Sequence, residues 1–410
     1  MKEILYVSHA FPPQAGGGIR RIVNTVTIMA RETFDVIVLT RKIGEDTLRR
    51  ACIPTDSQAL RGLSQEKNLR IVRTYSLEEI YYKYLKGNIK RETTQFQVRT
   101  ARSLRDTALL WVPFAILRGI FISTDGLFAT GPTFINFFVA FVLAKLKRVP
   151  YILEYRDGWL LNPSIETPKI IAWMIKLQES LYLKHAKKII TVTNGIKKRL
   201  QEFYAVKPER ILVIRNGYWM EEKEKVLGNP KLMHRCNFAS QYYNIAHIGV
   251  LSTGRGPERF FQSISSRCAI GKKPYKIHFI GTTESDRSYI HNLADEYGIQ
   301  RAVECHKFVS RDESLAYMAN SDALLLLINA DLKDKSGFGV PGKLGDYVMM
   351  NSRILIGASV IDFLKKELGL EDVDIASTDS GIGNFVYLHD RTGQLDFYKE
   401  FSVFAKRIRL

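Results

Sequence analysis

The chain has 410 residues, 46% of them hydrophobic, and a formal net charge of +18. That length and apolar content suit two domains of roughly 200 residues each. No run reaches the about 20 apolar residues of a bilayer-spanning helix, Ile4–Val7 is too short for a signal-peptide core, and Cys52, Cys236, Cys268 and Cys305 form no metal pattern.

Taken in chain order, Ile4–Val7 is a short strand that leads through Pro12-Pro13 into Gly16, Gly17, Gly18 and a helix. Such a turn admits positive φ and close backbone approach, which suits a phosphate or sugar at the helix start. A dinucleotide fingerprint competes for this segment, but its third glycine is replaced by Arg21. Of the eight histidines, none paired at ligand spacing, His9 at the end of the first strand is the one to follow. Thr107–Ile122 is aromatic-rich and apolar, broken by Pro113 and Arg118, and Phe134–Leu143 falls where a buried helix is due. Tyr151–Asn162 (YILEYRDGWLLN) reads as an apolar strand ending in Glu154, Arg156 and Asp157, a cleft-rim element or a local salt bridge. With no repeat, low-complexity tract or Pro/Ser-rich linker, the domain boundary is expected at Ala205–Arg210, before a strand Ile211–Ile214. This divides the chain into 1–205, 206–385 and a helical segment 386–410 that packs back on the first domain.

In the second half, the turn Arg215-Asn216-Gly217 precedes a strand at Ile245–Leu251 and a Gly254-Arg255-Gly256 turn. His278–Gly281 ends a strand in glycine, and Phe308-Val309 ends another. Ala323–Ile328 has the continuous apolar character of a buried parallel strand. It is followed by SGFGVPGKLGDYVMMN from Ser336, helical from about Lys343. A glycine-rich turn entering a helix offers N–H groups to an anion, Lys343 adds a cation, and Asp346 offers a carboxylate to vicinal hydroxyls such as a ribose. Alternating strand and helix runs argue for an α/β fold with parallel sheets, two Rossmann-like units facing across a cleft.

These segments resemble retaining family 4 of the GT-B glycosyltransferases, in the subgroup typical of cell-surface polysaccharide assembly such as capsule. Asp346 stands where that family has its second glutamate, which binds the donor ribose. The first glutamate is replaced by Phe338, and the backbone amides of Phe338, Gly339 and Val340 would face the donor. Val250 replaces one usual diphosphate-binding cation, leaving Arg255 and Lys343 as the pair that neutralises the leaving nucleotide. The resemblance places Gly16–Gly18 beside the diphosphate and sugar, Asn216 at the opening of the donor domain, and Val309 near the nucleobase. Arg156, which corresponds to a histidine in many members, and Asp157 would form the cleft-rim element, with Asp157 orienting acceptor or sugar hydroxyls. The implied chemistry is front-face transfer from a nucleotide sugar, with no metal or cofactor.

Residues 1–200 hold 32 Lys+Arg against 16 Asp+Glu, a net +16, so the remaining 210 residues carry only +2. Lys86–Arg105 has six cations and one acid immediately before Thr107–Ile122. A basic segment next to an apolar one suits peripheral docking on the inner face of an anionic cytoplasmic membrane, with Trp111 and Phe114 partly inserted, near a lipid-linked acceptor. A solvated basic face over a core helix is the competing reading. Three further alternatives stay open. A nucleotide-sugar 2-epimerase would need carboxylates and histidines clustered for proton chemistry. A degenerate transferase would serve as a binding module, and a nucleic-acid binder would leave Asp346 and the glycine loops without a role.

Overall fold

A computed structural model describes residues 1–410 except 51–52, 54, 57, 82–106, 163–166, 250, 252–255, 267–268, 271–272, 329–340, 351–352, 361–363, 365–373, 377–384, 390–396 and 408–410. The chain divides into two compact units, Met1–Arg215 with Tyr398–Leu410, and Asn216–Phe397.

The first unit is built on β1 (Lys2–Val7), β2 (Phe34–Arg41), β3 (Leu69–Thr74), β4 (Gly126–Thr130), β5 (Tyr151–Tyr155), β6 (Lys188–Thr191) and β7 (Ile211–Val213). They form one sheet in the order β3-β2-β1-β4-β5-β6-β7, every neighbouring pair parallel. All residues of β4 and β5 are buried, as expected for strands covered on both faces. The apolar run Phe134–Leu143 becomes the helix Ile135–Lys147, which buries Phe137, Val139, Ala140 and Leu143. The strand Ile211–Val213 extends this first sheet beside β6, so the unit runs to Arg215 instead of ending before that strand. Its register with Ile189–Thr191 explains why: a short apolar strand is buried most readily on an existing parallel edge. The helix Phe397–Arg407 also returns here, burying Phe401 near Phe128 at 6.4 Å and pairing Lys406 with Glu32 at 2.8 Å.

The second unit holds β8 (Tyr243–Ile248), β9 (Ala269–Ile270), β10 (Lys273–Ile280), β11 (Val303–His306), β12 (Ala323–Leu326), β13 (Arg353–Gly357), β14 (Asp374–Ala376) and β15 (Phe385–His389). The path is β11-β10-β8-β12-β13-β15-β14, parallel from β11 to β13 and antiparallel beyond, with β9 antiparallel to β10. Strand β11 stops at His306, so Phe308-Val309 lies just beyond a strand end. Among the described residues, no helix is long and apolar enough to cross a membrane.

Trp111 corrects one expectation. Its side chain is fully buried and its indole N–H donates to Thr74 Oγ1 at 2.7 Å, so it is a core residue and not an inserting one. Its single polar atom finds a protein partner only inside, which fixes the ring there. The basic run 86–105 lies outside the described residues.

Candidate functional site

In open parallel sheets, ligands bind beyond the carboxyl ends of the strands, where the strand order reverses. Those points lie between β1 and β4 in the first unit and between β8 and β12 in the second. The glycine-rich segments found in the sequence follow β1, β8 and β12.

In the first unit, Gly16 has φ 135°, a conformation that L side chains rarely adopt, and the helix Gly17–Glu32 starts immediately after it. Arg156, just beyond β5, donates from Nη1 to the Gly18 carbonyl and from Nε to the Gly131 carbonyl. A Cβ on Gly18 would sit 2.9 Å from Arg156 Nη1, so the glycine permits this approach. Arg156 therefore holds the turn after β1 to the turn after β4, a positioning role. Asp157 is half-buried beside it. The loop carrying both is pinned by Trp159, stacked on Phe134 at 4.9 Å, and by the Leu160 N–H, which donates to Glu179 at 3.4 Å. Burial pushes the Glu179 carboxyl up to about 7, against a hydrogen bond from Tyr204.

Two residues from the sequence reading prove structural. Arg21 is buried, with Nε donating to Glu154 Oε1 at 2.8 Å and its other nitrogens to the Arg215 and Ile214 carbonyls at 2.9 Å each. It joins the first helix to β5 and to the chain leaving β7, where a dinucleotide fold would use a glycine. His9 is buried against Glu78, with Nε2 at 2.8 Å from Oε2. Glu78 also accepts from Arg41 at 2.6 Å and Thr107 at 2.7 Å. Burial alone would raise the Glu78 carboxyl, but these partners, His9 first, hold it well below the usual carboxylate range.

In the second unit, the helix Lys343–Met349 carries both Lys343 and Asp346. Lys343 Nζ lies 3.0 Å from His247 Nε2. His247 Nδ1 is 2.9 Å from the Leu325 carbonyl, which can only accept, so Nδ1 carries the proton and Nε2 receives the lysine N–H. Burial, and then the Lys343 charge, hold the imidazole pKa well below its ordinary value. A neutral histidine thus fixes the ammonium over Gly249, where an added Cβ would lie 3.5 Å from Nζ. Gly249 and Gly281 both have positive φ at the ends of β8 and β10, and the Gly249 N–H donates to the Ile280 carbonyl at 2.7 Å. The result is a cation above the half-buried backbone at the end of β8, at the switch point.

Asp346 is buried and accepts two hydrogen bonds from Arg311, at 2.7 and 2.8 Å, while Arg311 also donates to Glu222 at 2.9 Å. Burial would lower the Arg311 pKa, but the Asp346 and Glu222 carboxylates raise it above its ordinary value. Asn216 is brought to the same helix: a Cβ on Gly345 would lie 2.7 Å from the Gly217 carbonyl carbon, so only glycine lets that chain pass. Val309 is partly buried against the core that Leu344 and Tyr347 of this helix join, two residues before Arg311. Thus Lys343 and Asp346 share one helix in the second unit, with Gly217 against it, while in the first unit Arg156 bonds to Gly18 and is followed by Asp157. Arg255, Phe338, Gly339 and Val340 lie outside the described residues. His247, Arg311 and Gly345 were not singled out in the sequence.

Comparison with known proteins agrees with this architecture. Residues 16–217, just under half of the chain, match the model described as a glycosyl transferase 4-like domain. A search of curated proteins finds no match. Among solved structures, HepE from Anabaena in complex with UDP and glucose aligns with a TM-score of 0.60 at 11% identity, over 99% of each chain. The lipopolysaccharide outer core galactosyltransferase WaaB aligns at 0.50 and 13% identity, over 98% of this chain and 99% of that one. A putative UDP-N-acetylglucosamine 2-epimerase from Listeria monocytogenes also reaches 0.50 at 10% identity, over 86% and 78%. One fold thus serves two chemistries, and side chains must separate them. The chain has the GT-B fold, and residues 16–217 are similar to the glycosyl transferase 4-like domain.

Proposed function

We propose that this protein is a retaining glycosyltransferase of the family 4 type that moves a sugar from a nucleoside diphosphate donor to a membrane-associated, lipid-linked acceptor in cell-surface polysaccharide assembly. The observation that carries the reading is Lys343, held by a neutral His247 over the glycine ends of β8 and β10. Breaking the anomeric bond develops charge on the leaving diphosphate, and a pre-positioned ammonium stabilises it most where water is excluded. By the family resemblance, Arg255 is assigned as the second cation of this grip and the amides of Phe338, Gly339 and Val340 as donor contacts, all four outside the described residues. The glycosyl transferase domain match supports the reaction class, and HepE, solved with UDP-glucose, supports a UDP-sugar as the first donor to test. Asp346, held by Arg311, stands where the resembling family binds the donor ribose and takes that role here, and Val309 lies against the base. In the first unit, Asp157 orients the acceptor while Arg156 keeps the glycine turn in place. The departing phosphate takes the acceptor proton on the same face, so no dedicated base and no metal enter the scheme.

Peripheral association with the inner membrane face rests on helix Lys169–His185. Its Ile170, Trp173, Leu177 and Leu181 are 72, 62, 52 and 43% exposed at helical spacing, and Lys169, Lys176 and Lys184 are also exposed. An apolar row flanked by lysines suits an anionic lipid surface. The epimerase alternative has less support: the described carboxylates and histidines near Lys343 are Asp346, paired with Arg311, and His247, held neutral.

The experiment is a panel of nucleotide sugars tested for thermal stabilisation of the wild type and Lys343→Ala. A ligand that binds only the folded state raises stability by mass action. One or more nucleoside diphosphate sugars stabilising the wild type, and the variant less, is the expected result; no stabilisation by any of them contradicts the proposal.

A further inference from the structure

The second unit carries a cluster with the chemistry of a metal site, in side chains that the transferase reading does not use. Parallel strands β10 and β11 pair His278 with Glu304 and Ile280 with His306. Because residues two apart on a strand share a face, Glu304 and His306 point to the same side as His278. The three ligand atoms all lie within 4.8 Å of one another. His278 Nδ1 is 3.4 Å from Glu304 Oε2 and 3.5 Å from His306 Nε2. Four-coordinate zinc with bonds of 2.0–2.1 Å has ligand–ligand edges of about 3.4 Å, so the two edges from His278 already fit.

The surrounding hydrogen bonds fix the ligand state. Asn244 donates its amide N–H groups to the Ala239 and Tyr242 carbonyls, both at 3.1 Å, so its Oδ1 faces His278 Nε2 at 3.0 Å. Nε2 must then carry the proton, which leaves the Nδ1 lone pair directed at Glu304 and His306. Lys276 binds the other carboxylate oxygen, Oε1, at 2.8 Å and leaves Oε2 to the cluster. A histidine whose far nitrogen is held by a polar partner, beside an oriented carboxylate, is the usual outer shell of a metal ligand set. Phe238 stacks on the His278 ring at 4.1 Å and walls one side. Without a cation, His306 Nε2 and His278 Nδ1 face each other beyond good hydrogen-bond distance.

We propose that His278 Nδ1, His306 Nε2 and Glu304 Oε2 bind a zinc-class divalent cation that ties edge strand β11 to β10. Two imidazoles and one carboxylate are the donors this class prefers, with water completing the tetrahedron. The His306 carbonyl accepts from Gly281 N–H at 3.2 Å and Thr282 N–H at 3.0 Å, so the cation would also stiffen the turn after β10. The proposal does not depend on the transferase reading.

The test is titration of Zn2+ into the chelator-treated full-length protein by calorimetry, with Co2+ as a spectroscopic probe. One ion per chain, a visible Co2+ spectrum of tetrahedral intensity and a higher melting temperature with Zn2+ are expected. Glu304→Gln, which keeps the Lys276 contact, and His306→Ala should each remove that spectrum. Asn244→Ala should weaken Zn2+ binding by about 10- to 100-fold, while His291→Ala, on an exposed helix, should leave it unchanged. Absence of stoichiometric binding by the wild type, or equal binding by folded Glu304→Gln and His306→Ala proteins, overturns the site.

Discussion

Replacing Lys343 by methionine removes the ammonium but keeps most of the apolar stem. The charge sits 3.0 Å from His247 Nε2 and above Gly249. At about 4 Å from a diphosphate oxygen and an effective dielectric constant near 20, such a charge contributes about 4 kcal/mol. Loss of one pre-positioned donor typically costs about 2.7–4 kcal/mol in the transition state. At 1.36 kcal/mol per decade, this corresponds to a drop in kcat of between about 100-fold and 1,000-fold. The folded state loses less, on the order of 1 kcal/mol, for the unmade His247 hydrogen bond. Steady-state release of nucleoside diphosphate, with a thermal melt as control, separates the two effects. A folded Lys343→Met protein with wild-type turnover refutes the assignment of Lys343 to the leaving group.

Asp157→Asn should keep the fold and donor affinity yet lower transfer strongly; normal transfer, measured by product formation, moves the acceptor site elsewhere. Asp346→Ala leaves half-buried Arg311 with Glu222 and should cost about 1–3 kcal/mol of stability; calorimetry showing an unchanged melt with weakened nucleotide binding would instead make Asp346 a ligand group alone. Glu179, at about 7, is raised above the ordinary 4.5, so the folded state holds its proton more tightly than the unfolded chain. Stability is then lost as pH rises from 4.5 through 7, and Glu179→Gln should gain on the order of 2 kcal/mol at pH 8 and flatten that part of the pH–melting curve. Trp173→Ser with Leu177→Ser should reduce co-sedimentation with anionic vesicles, whereas equal sedimentation of variant and wild type rejects the helix as a docking face.

Local turns were legible because their chemistry is local. Glycines at strand ends, the cation at Lys343 and the Arg156-Asp157 pair lie within single short segments that follow strands β1, β5, β8 and β12. Long-range partners were not. His247 is 96 residues from Lys343 and Arg311 is 35 from Asp346, so spacing carried no sign of either pair. Strand Ile211–Val213 looked like an opening of the second domain because an apolar triplet does not state which edge it joins. Trp111 resembled a membrane anchor until its partner Thr74 was seen, and His278 and His306 become neighbours only through strand register.

The central claim is tested most directly by following the nucleotide product when wild-type protein is incubated with the stabilising nucleotide sugar and a lipid-linked acceptor fraction. A transferase releases nucleoside diphosphate in an acceptor-dependent reaction that Lys343→Met suppresses, and the new linkage keeps the donor's anomeric configuration. Recovery of an intact nucleotide sugar with an altered C2 centre, or no acceptor-dependent release of diphosphate, would contradict the account.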